Sequence, residues 1–325
     1  MAAVGRFVLS LDFELMWGVR DLFTLEDYGR KVLGVRQVVP ALLKLFTERQ
    51  VSCTWATVGL LFFANKRQML DGLPDRKPTY ANQRLSSYAM MDQIGDNEDS
   101  DPHWYGQSLL KRVLACPEQE VGSHTFSHFY CLEEGGTPEM LRFDLEAARA
   151  AAANLGVKLT SIAFPRNQIN GEHLDVCRDA GLRAFRGREH VWYHDGRPSR
   201  ERTQIHRAVR LADSYIPLGG HRDIVPEIMR DMVDVRASRF LRPAARWGPL
   251  ESLRLRRITS AMSAAAQRGT TFHLWWHPHN FGGDLDLNLA FLRRVLDHFR
   301  ALQESHGMVS MTMKRVAEET LQCPL

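Results

Sequence analysis

Hydrophobic and polar positions follow two different spacings along the chain. Short runs of β-branched and other apolar residues, typical of buried strands, are separated by stretches whose apolar positions recur at helical spacing. This alternation is typical of an α/β fold with a mainly parallel sheet or barrel. The predicted strands are Arg6–Phe13, Ser52–Val58, Glu120–Ser123, Ser161–Phe164, Leu182–Arg186, Thr270–His277 and Met308–Thr312.

Two amphipathic helices stand out between the strands, at Thr137–Leu155 and Asp284–Gln303. In the first, Thr137 is the expected N-cap and Pro138 the first helical residue. In the second, apolar residues share one face: Leu287, Phe291, Val295, Leu296 and Phe299. We expect such helices to wrap the sheet.

Two segments are too long to be simple connections. Residues 73–106 are polar and rich in Asp, Asn, Ser and Pro, which predicts a lid or a binding insertion. Residues 188–260 form a second long excursion. We predict one domain over residues 1–325 that carries these two insertions.

The composition excludes several classes of protein. Of the 325 residues, 44% are hydrophobic and 25% are charged, which is ordinary for a globular protein and excludes disordered and fibrous chains. No stretch reaches the roughly 20 apolar residues of a membrane span, and the N-terminus shows no apolar signal segment. The five cysteines are scattered without a CxxC pair, which argues against a disulfide framework and a thiolate zinc site. We expect a cytoplasmic protein.

The modest net charge of +4 conceals a local excess of arginine. Residues 181–260 contain 17 Arg, no Lys and 9 acids, a local charge of +8. Arginine suits bidentate binding of phosphate or carboxylate, so this segment predicts a phosphorylated ligand or peripheral contact with an anionic membrane. The alternative is a solvated surface whose arginines pair with acids elsewhere. Few aromatic residues are interleaved, which disfavours nucleic acid.

Polar clusters follow the predicted strands, and catalytic groups collect where the strands of parallel α/β folds end. The first cluster contains Asp12 and Glu14, two residues apart on a strand, so both carboxylates point to one face. Two carboxylates on one face either repel each other or hold a cation. A solvated strand end is the alternative.

The second cluster is the string His-Thr-Phe-Ser-His from His124 to His128. These two histidines are four residues apart. On a helical turn both imidazoles would therefore project to one side and chelate a divalent metal. Thr125 stands where the zinc protease pattern HExxH needs glutamate, which excludes that class. A structural histidine pair is the alternative, although a carboxylate of the first cluster would complete an open metal site.

Two further clusters end later strands. His277 lies at a strand tip, where a histidine can act as an acid or a base near neutral pH, whereas His273, deeper in the same strand, is expected in the core. Arg166 follows the fourth predicted strand and would orient a catalytic carboxylate and balance its charge. Pairing with a surface acid is the alternative for Arg166.

Taken in this order, the clusters resemble the motifs of the polysaccharide deacetylase family, the NodB-homology group also called carbohydrate esterase family four. The resemblance runs from Val8 to about Phe281, and its most specific part is the string from His124 to His128. It implies a distorted (β/α)7 barrel and metal-dependent hydrolysis of an N-acyl group, usually acetyl, from an amino sugar.

The same resemblance implies roles for single residues. Glu14, His124 and His128 would bind a divalent metal, with zinc expected first and other first-row ions as alternatives. Asp12 would be the base and His277 the general acid. Whether Asp12 or Glu14 is the metal ligand, with the other acting as the base, stays open.

The third motif departs from the family pattern. Phe164-Pro-Arg166-Asn167 reverses the usual order Arg-x-Pro-aromatic, and no Asp-Trp pair is recognisable within residues 185–192. Arg166 is still predicted as a catalytic residue. Substrate contacts are expected from Trp17, His103, Asn167, Trp276 and His279, the tryptophans by stacking on sugar rings. Core packing is the alternative for the tryptophans.

The leading functional prediction is a metal-dependent N-deacylase. Its substrate would be an acetylated or formylated amino sugar, linked to a nucleotide or a lipid, in surface polysaccharide or glycoconjugate biosynthesis. The alternatives are an amidohydrolase of a small non-sugar amide or ureide, and a non-catalytic barrel that binds a phosphorylated glycan.

Overall fold

A curled sheet forms the frame of the protein. The computed structural model describes residues 4–188, 215, 224–245 and 248–322. Within that part of the chain the strands are β1 (Arg6–Phe13), β2 (Cys53–Thr57), β3 (Gln119–Ser123), β4 (Ser161–Ile162), β5 (Ala184–Phe185), β6 (Glu227–Met229), β7 (Met232–Asp234), β8 (Arg239–Phe240), β9 (Thr271–Trp276) and β10 (Val309–Met311). Neighbouring strands are parallel except in the β6–β7 hairpin.

The strand order places β1 inside the sheet, where it pairs with three other strands, β2, β9 and β10. The order is β6-β7-β5-β4-β3-β2-β1-β9-β8, and β10 also pairs with β1. β7 pairs with β5 on one side of the curled sheet, and β8 pairs with β9 on the other side. The short connection from β7 to β8 therefore joins the two sides. The predicted fold class, a distorted (β/α)7 barrel, is confirmed.

Helices in the described residues surround the sheet. They are α1 (Leu25–Leu33), α2 (Val35–Arg49), α3 (Lys66–Asp71), α4 (Gln107–Leu114), α5 (Pro138–Ala153), α6 (Gly171–Asp179), α7 (Gly248–Arg268), α8 (Leu285–His306) and α9 (Met313–Leu321). Thr137 caps α5 and Asp284 caps α8 through their side chains, so both predicted amphipathic helices are confirmed. Among these helices, none combines the length and hydropathy needed to cross a membrane.

The two predicted insertions differ in outcome. Residues 73–106 form a long connection with no α-helix or strand, only 3-10 turns at Gln83–Leu85 and Ser87–Met90. Residues 188–260 are not simply an insertion, since their described part contributes β6, β7, β8 and the first half of α7. Each of these strands has two or three residues, and β6 is exposed. The sequence therefore shows no alternation of buried and exposed positions that would predict these strands. The organisation as one domain stays a prediction.

β1 runs through the hydrophobic core and carries the predicted acids at its end. Every residue of β1 from Phe7 onward is buried. The ring centre of Phe7 lies 4.7 Å from that of Phe299 on α8 and 6.3 Å from that of Phe272 on β9. Because β1 is fixed by this packing, the acids at its carboxyl end are fixed too.

Replacing Phe7 with alanine is expected to lower the free energy of unfolding by about 3–5 kcal/mol, because it leaves a cavity among packed aromatic rings. Urea unfolding followed by circular dichroism measures this loss. Leu22→Ala is the control, since that side chain is 61% exposed, and we expect a change within about 0.5 kcal/mol. Equal losses in the two variants would contradict the central role of β1.

Candidate metal centre

The polar residues predicted from strand ends meet at one edge of the sheet. Asp12 lies in β1 and Glu14 follows it, His124 follows β3, and His277 follows β9. Because β1, β2, β3 and β9 are parallel neighbours, their carboxyl ends lie at the same edge. Both acids and His124 are buried, whereas the side chain of His277 is 23% exposed.

Glu14, His124 and His128 form a compact set of metal-ligand atoms. Glu14 Oε2 lies 3.2 Å from His124 Nε2 and 3.1 Å from His128 Nε2. One ligand atom from each of the three buried side chains lies within 4.8 Å of the others. The structure therefore brings the predicted ligand set together.

The protonation of these side chains fits a cation between them. His124 Nδ1 lies 2.8 Å from the carbonyl oxygen of Ala163, so in the neutral ring Nδ1 carries the proton and Nε2 is a lone-pair donor. Burial lowers the pKa of His128 to about 4, although Glu14 counteracts it. Burial raises the pKa of Glu14, but His277 and the other two histidines hold it well below its usual value. Two imidazole nitrogens and a carboxylate oxygen therefore lie close together, and with both nitrogens unprotonated they form a donor set that suits a first-row divalent ion such as zinc.

The turn after Glu14 leaves space for its carboxylate. Residues Leu15–Gly18 form a 3-10 turn that begins directly after Glu14. A Cβ atom at Gly18 would lie 1.9 Å from Glu14 Cδ, so any larger residue would displace the side chain. Glycine at position 18 is therefore a condition for this conformation of Glu14.

The loop between the two histidines is held by Asp144 of α5. The Phe126 amide donates to Asp144 Oδ1 at 2.6 Å and the Ser127 amide to Oδ2 at 3.1 Å, and the Ser127 hydroxyl also donates to Oδ2. The predicted helical turn is wrong, because Thr125 and His128 have left-handed φ angles of 63° and 57°. The sequence analysis missed Asp144, although an acid on the buried face of a helix indicates an internal partner.

Arg186, the residue after β5, neutralises Asp12. Its Nη1 and Nη2 atoms lie 2.7 and 2.8 Å from the two oxygens of Asp12, and both side chains are buried. The guanidinium lies 4.1 Å from the ring centre of Trp275, and Nη2 donates to Asn167 Oδ1 at 3.3 Å. Burial raises the pKa of Asp12, but Arg186 and two nearby histidines hold it below its ordinary value.

Arg166 is the partner of Asp21, whereas the arginine that pairs with Asp12 is Arg186, which corrects the sequence prediction. The Arg166 guanidinium donates to Asp21, lies 3.9 Å from a carboxylate oxygen of Glu133, and lies 4.4 Å from the ring centre of Tyr130. The stated alternative for Arg166 was pairing with a surface acid, and Asp21 differs from it in being only 5% exposed. Both arginines follow strands, so position along the chain did not distinguish them.

His277 lies between the two acids and is accessible. Its Nε2 atom is 3.6 Å from Asp12 Oδ2 and 3.7 Å from Glu14 Oε1. On the other side of the ring, Nδ1 lies 3.3 Å from Asn280 Oδ1, a contact that orients the imidazole. The arrangement places a ring nitrogen that can carry a proton next to both carboxylates.

His279 packs against His277 instead of facing a substrate, which corrects the predicted contact. The two rings stack with centres 4.9 Å apart, and the edge of Tyr28 meets His279 at 5.4 Å. Only 3% of His279 is exposed, and burial lowers its pKa to about 3. A neutral, buried imidazole in this place supports His277. The sequence analysis missed Tyr28, and no local signal singles it out.

The two tryptophans predicted to stack on sugar rings are core residues. Trp17 and Trp276 are both 0% exposed, and Trp17 Nε1 donates to a backbone carbonyl oxygen at 2.7 Å. Core packing, the stated alternative, is therefore correct for both. The side chain of His103 is 24% exposed, and Asn167 reaches the site through its contact with Arg186. Substrate contact by these last two residues stays a prediction.

Comparisons with known proteins give a family and a fold. The family model described as polysaccharide deacetylase matches residues 23–185, just over half of the chain. No curated protein matches significantly. The matched segment contains His124 and His128, whereas Asp12, Glu14 and His277 lie outside it.

Solved structures resemble the chain at low sequence identity, so they show the fold alone. A putative polysaccharide deacetylase from Mycobacterium smegmatis is 12% identical, with 100% of this chain and 93% of that chain covered and a TM-score of 0.62. Puue allantoinase is 10% identical, with 96% and 89% covered and a TM-score of 0.57. A 4-alpha-glucanotransferase from Thermococcus litoralis is 10% identical, with 98% and 41% covered and a TM-score of 0.52.

Replacing Asp144 with asparagine is expected to remove a pH-dependent part of the stability. Burial raises the pKa of Asp144 from 3.8 to about 6, against three hydrogen bonds that lower it. Because the folded-state pKa is the higher one, the fold favours the protonated carboxyl, and this stabilisation is lost as pH rises through the interval between the two values. Urea unfolding between about pH 4 and pH 7 should show the wild type losing a few kcal/mol relative to Asp144→Asn. A constant difference in the free energy of unfolding over that range would contradict the raised pKa of Asp144.

Proposed function

The chain belongs to the polysaccharide deacetylase family, and we propose that it is a metal-dependent hydrolase that removes an N-linked acetyl or formyl group from an amino sugar. The observation that carries the proposal is the convergence of Glu14, His124 and His128 on one point. Beside this point lies His277, whose Nε2 atom is within 3.7 Å of both Asp12 and Glu14.

The residues divide into a ligand set and an acid–base pair. When bound by Glu14 and the two histidines, the metal ion supplies Lewis acidity, which acidifies water and polarises the acyl carbonyl. We assign Glu14 as the ligand because its carboxylate faces both histidine Nε2 atoms, and Asp12 as the base because Arg186 keeps it ionised. His277 donates a proton to the leaving sugar nitrogen, which is a poor leaving group without one.

We extend the proposal to an intermediate of surface polysaccharide or glycoconjugate biosynthesis, carried on a nucleotide or a lipid. Its support is the arginine excess of residues 181–260. At least four of the described arginines in this segment are paired with acids within the protein: Arg186 with Asp12, Arg230 with Asp175, Arg236 with Asp234 and Arg254 with Glu251.

Metal analysis tests the ligand set. We expect about one zinc or other first-row divalent ion per wild-type chain by plasma mass spectrometry, because a carboxylate and two imidazoles converge there. His124→Ala should lose the ion. His298→Ala is the matched control, since His298 binds Ser263 on a helix pair and not the ligand set. A wild type that takes up no metal even after reconstitution with zinc would contradict the proposal.

Product analysis tests the reaction. The panel contains N-acetyl and N-formyl hexosamines in free, oligomeric and UDP-linked form, and released acetate, formate and amine are measured. We expect release by the metal-loaded wild type, with kcat lowered about 10²–10⁴-fold in Asp12→Asn and His277→Ala at unchanged metal content.

A cyclic ureide belongs in the same panel, because an allantoinase shares the fold. Ring opening of the ureide without acyl release from any sugar would transfer the assignment to the amidohydrolase alternative. Full activity of Asp12→Asn would contradict the role of Asp12 as the base, and Glu14 would then be the candidate for that role.

A further inference from the structure

Two buried polar residues lie next to the Asp12–Arg186 pair and have no role in the chemistry above. Ser10 lies on β1 and His273 on β9, and both are 0% exposed. His273 Nε2 lies 2.8 Å from Ser10 Oγ, and Ser10 Oγ lies 3.1 Å from Arg186 Nη1. A chain of hydrogen bonds therefore leads from His273 through Ser10 and Arg186 to Asp12.

The direction of every hydrogen bond in this chain is determined. His273 Nδ1 lies 2.8 Å from the carbonyl oxygen of Val235, which only accepts, so Nδ1 carries the proton. Burial and the charge of Arg186 lower the pKa of His273 to about 3, which leaves the ring neutral and Nε2 an acceptor. The Ser10 hydroxyl must then donate to His273, and its oxygen accepts from Arg186.

The terminal N–H groups of Arg186 are fully occupied. Nη1 donates to Ser10 and Asp12, and Nη2 donates to Asp12 and to Asn167. A guanidinium that bonds only a carboxylate can still slide and tilt within the bidentate pair. Here Ser10 holds one corner of the guanidinium and Asn167 the other, while the ring of Trp275 lies against its face.

We propose that Ser10 and His273 are positioning residues for hydrolysis, which fix Arg186 and through it the orientation of Asp12. The inference rests on the proposed function, since it assigns these residues to the same reaction. Neither residue touches the ligand set: the partners of Ser10 are Arg186 and His273, and those of His273 are Ser10, Val235 and Ser238. Substitution of either residue is therefore expected to change the orientation of Asp12 and not metal binding.

The test compares variants that break the chain at chosen atoms. Ser10→Ala removes the acceptor for Arg186. His273→Asn keeps an amide donor near Val235 but loses the acceptor for Ser10, whereas the longer His273→Gln places a carbonyl oxygen near the Nε2 position. Ser161→Ala is the matched control, because Ser161 is a buried strand serine whose hydroxyl donates to Glu120, away from the ligand set.

The measurements are kcat, KM, metal content and the urea midpoint, with the best acylated hexosamine of the panel as substrate. We expect Ser10→Ala and His273→Asn to lower kcat about 10- to 100-fold, with KM within about twofold and metal content unchanged, because a misplaced catalytic group costs rate and not binding. His273→Gln should recover most of kcat. Ser161→Ala should lose stability without losing kcat.

The outcomes separate the inference from the proposed function. A wild type that hydrolyses the sugar while Ser10→Ala keeps the kcat of Ser161→Ala overturns the positioning role alone. Equal loss of kcat in His273→Asn and His273→Gln, in step with their loss of stability, also overturns it, because a purely structural role predicts that result. A metal-loaded wild type that hydrolyses no member of the panel contradicts the proposed function and the positioning role together.

Discussion

Two carboxylates buried at the end of one strand are the constraint on which the site depends. Asp12 and Glu14 are each only 3% exposed and lie two residues apart. A buried charge without a partner costs several kcal/mol, so each carboxylate needs its own compensation. Arg186 compensates Asp12 with a bidentate pair, whereas Glu14 faces histidine nitrogens that are neutral when they act as lone-pair donors. His277 and the two ligand histidines hold the pKa of Glu14 well below its usual value, and with unprotonated nitrogens those two ligand histidines and Glu14 form a donor set that suits a divalent metal.

The fold meets this constraint with backbone conformations that are unfavourable elsewhere. Several residues in the loops after β1, β3 and β4 have left-handed φ angles: Leu15, Thr125, His128, Arg166 and Asn167. Such conformations cost about 1–3 kcal/mol each and persist where the surroundings determine them. Asp144 stabilises the conformation of the histidine loop, because it accepts hydrogen bonds from two backbone amides and one hydroxyl. Within the described residues, five of the nine non-glycine residues with left-handed φ angles lie in these three loops.

Local pattern was enough to predict seven strands, two helices and the acids and histidines that meet at one edge. The choice of Glu14 as ligand came from the family resemblance, whereas the pairing of the arginines was not predictable. The strand runs and the acids and histidines at their ends are local features, and parallel order brings them to one edge. The strands β6 to β8 are too short to carry a period. Whether Arg166 or Arg186 pairs with Asp12 depends on the curvature of the sheet, which no stretch of sequence encodes. For the same reason the aromatic residues at strand ends, such as Trp17, could not be assigned to core or substrate.

In the proposed function Asp12 and Glu14 have different tasks, and each task depends on the other. Pairing with Arg186 holds the pKa of Asp12 below its ordinary value, which makes Asp12 a weak base. A weak base accepts a proton from water only when that water is acidified, and a divalent ion lowers the pKa of bound water towards about 7. In the proposed function, the ligand set around Glu14 and the arginine pair of Asp12 would therefore be complementary, since a carboxylate with a lowered pKa would need acidified water as its proton donor. Without Arg186, Asp12 would be a stronger base but a buried charge with no partner, free to compete with Glu14 for the ion.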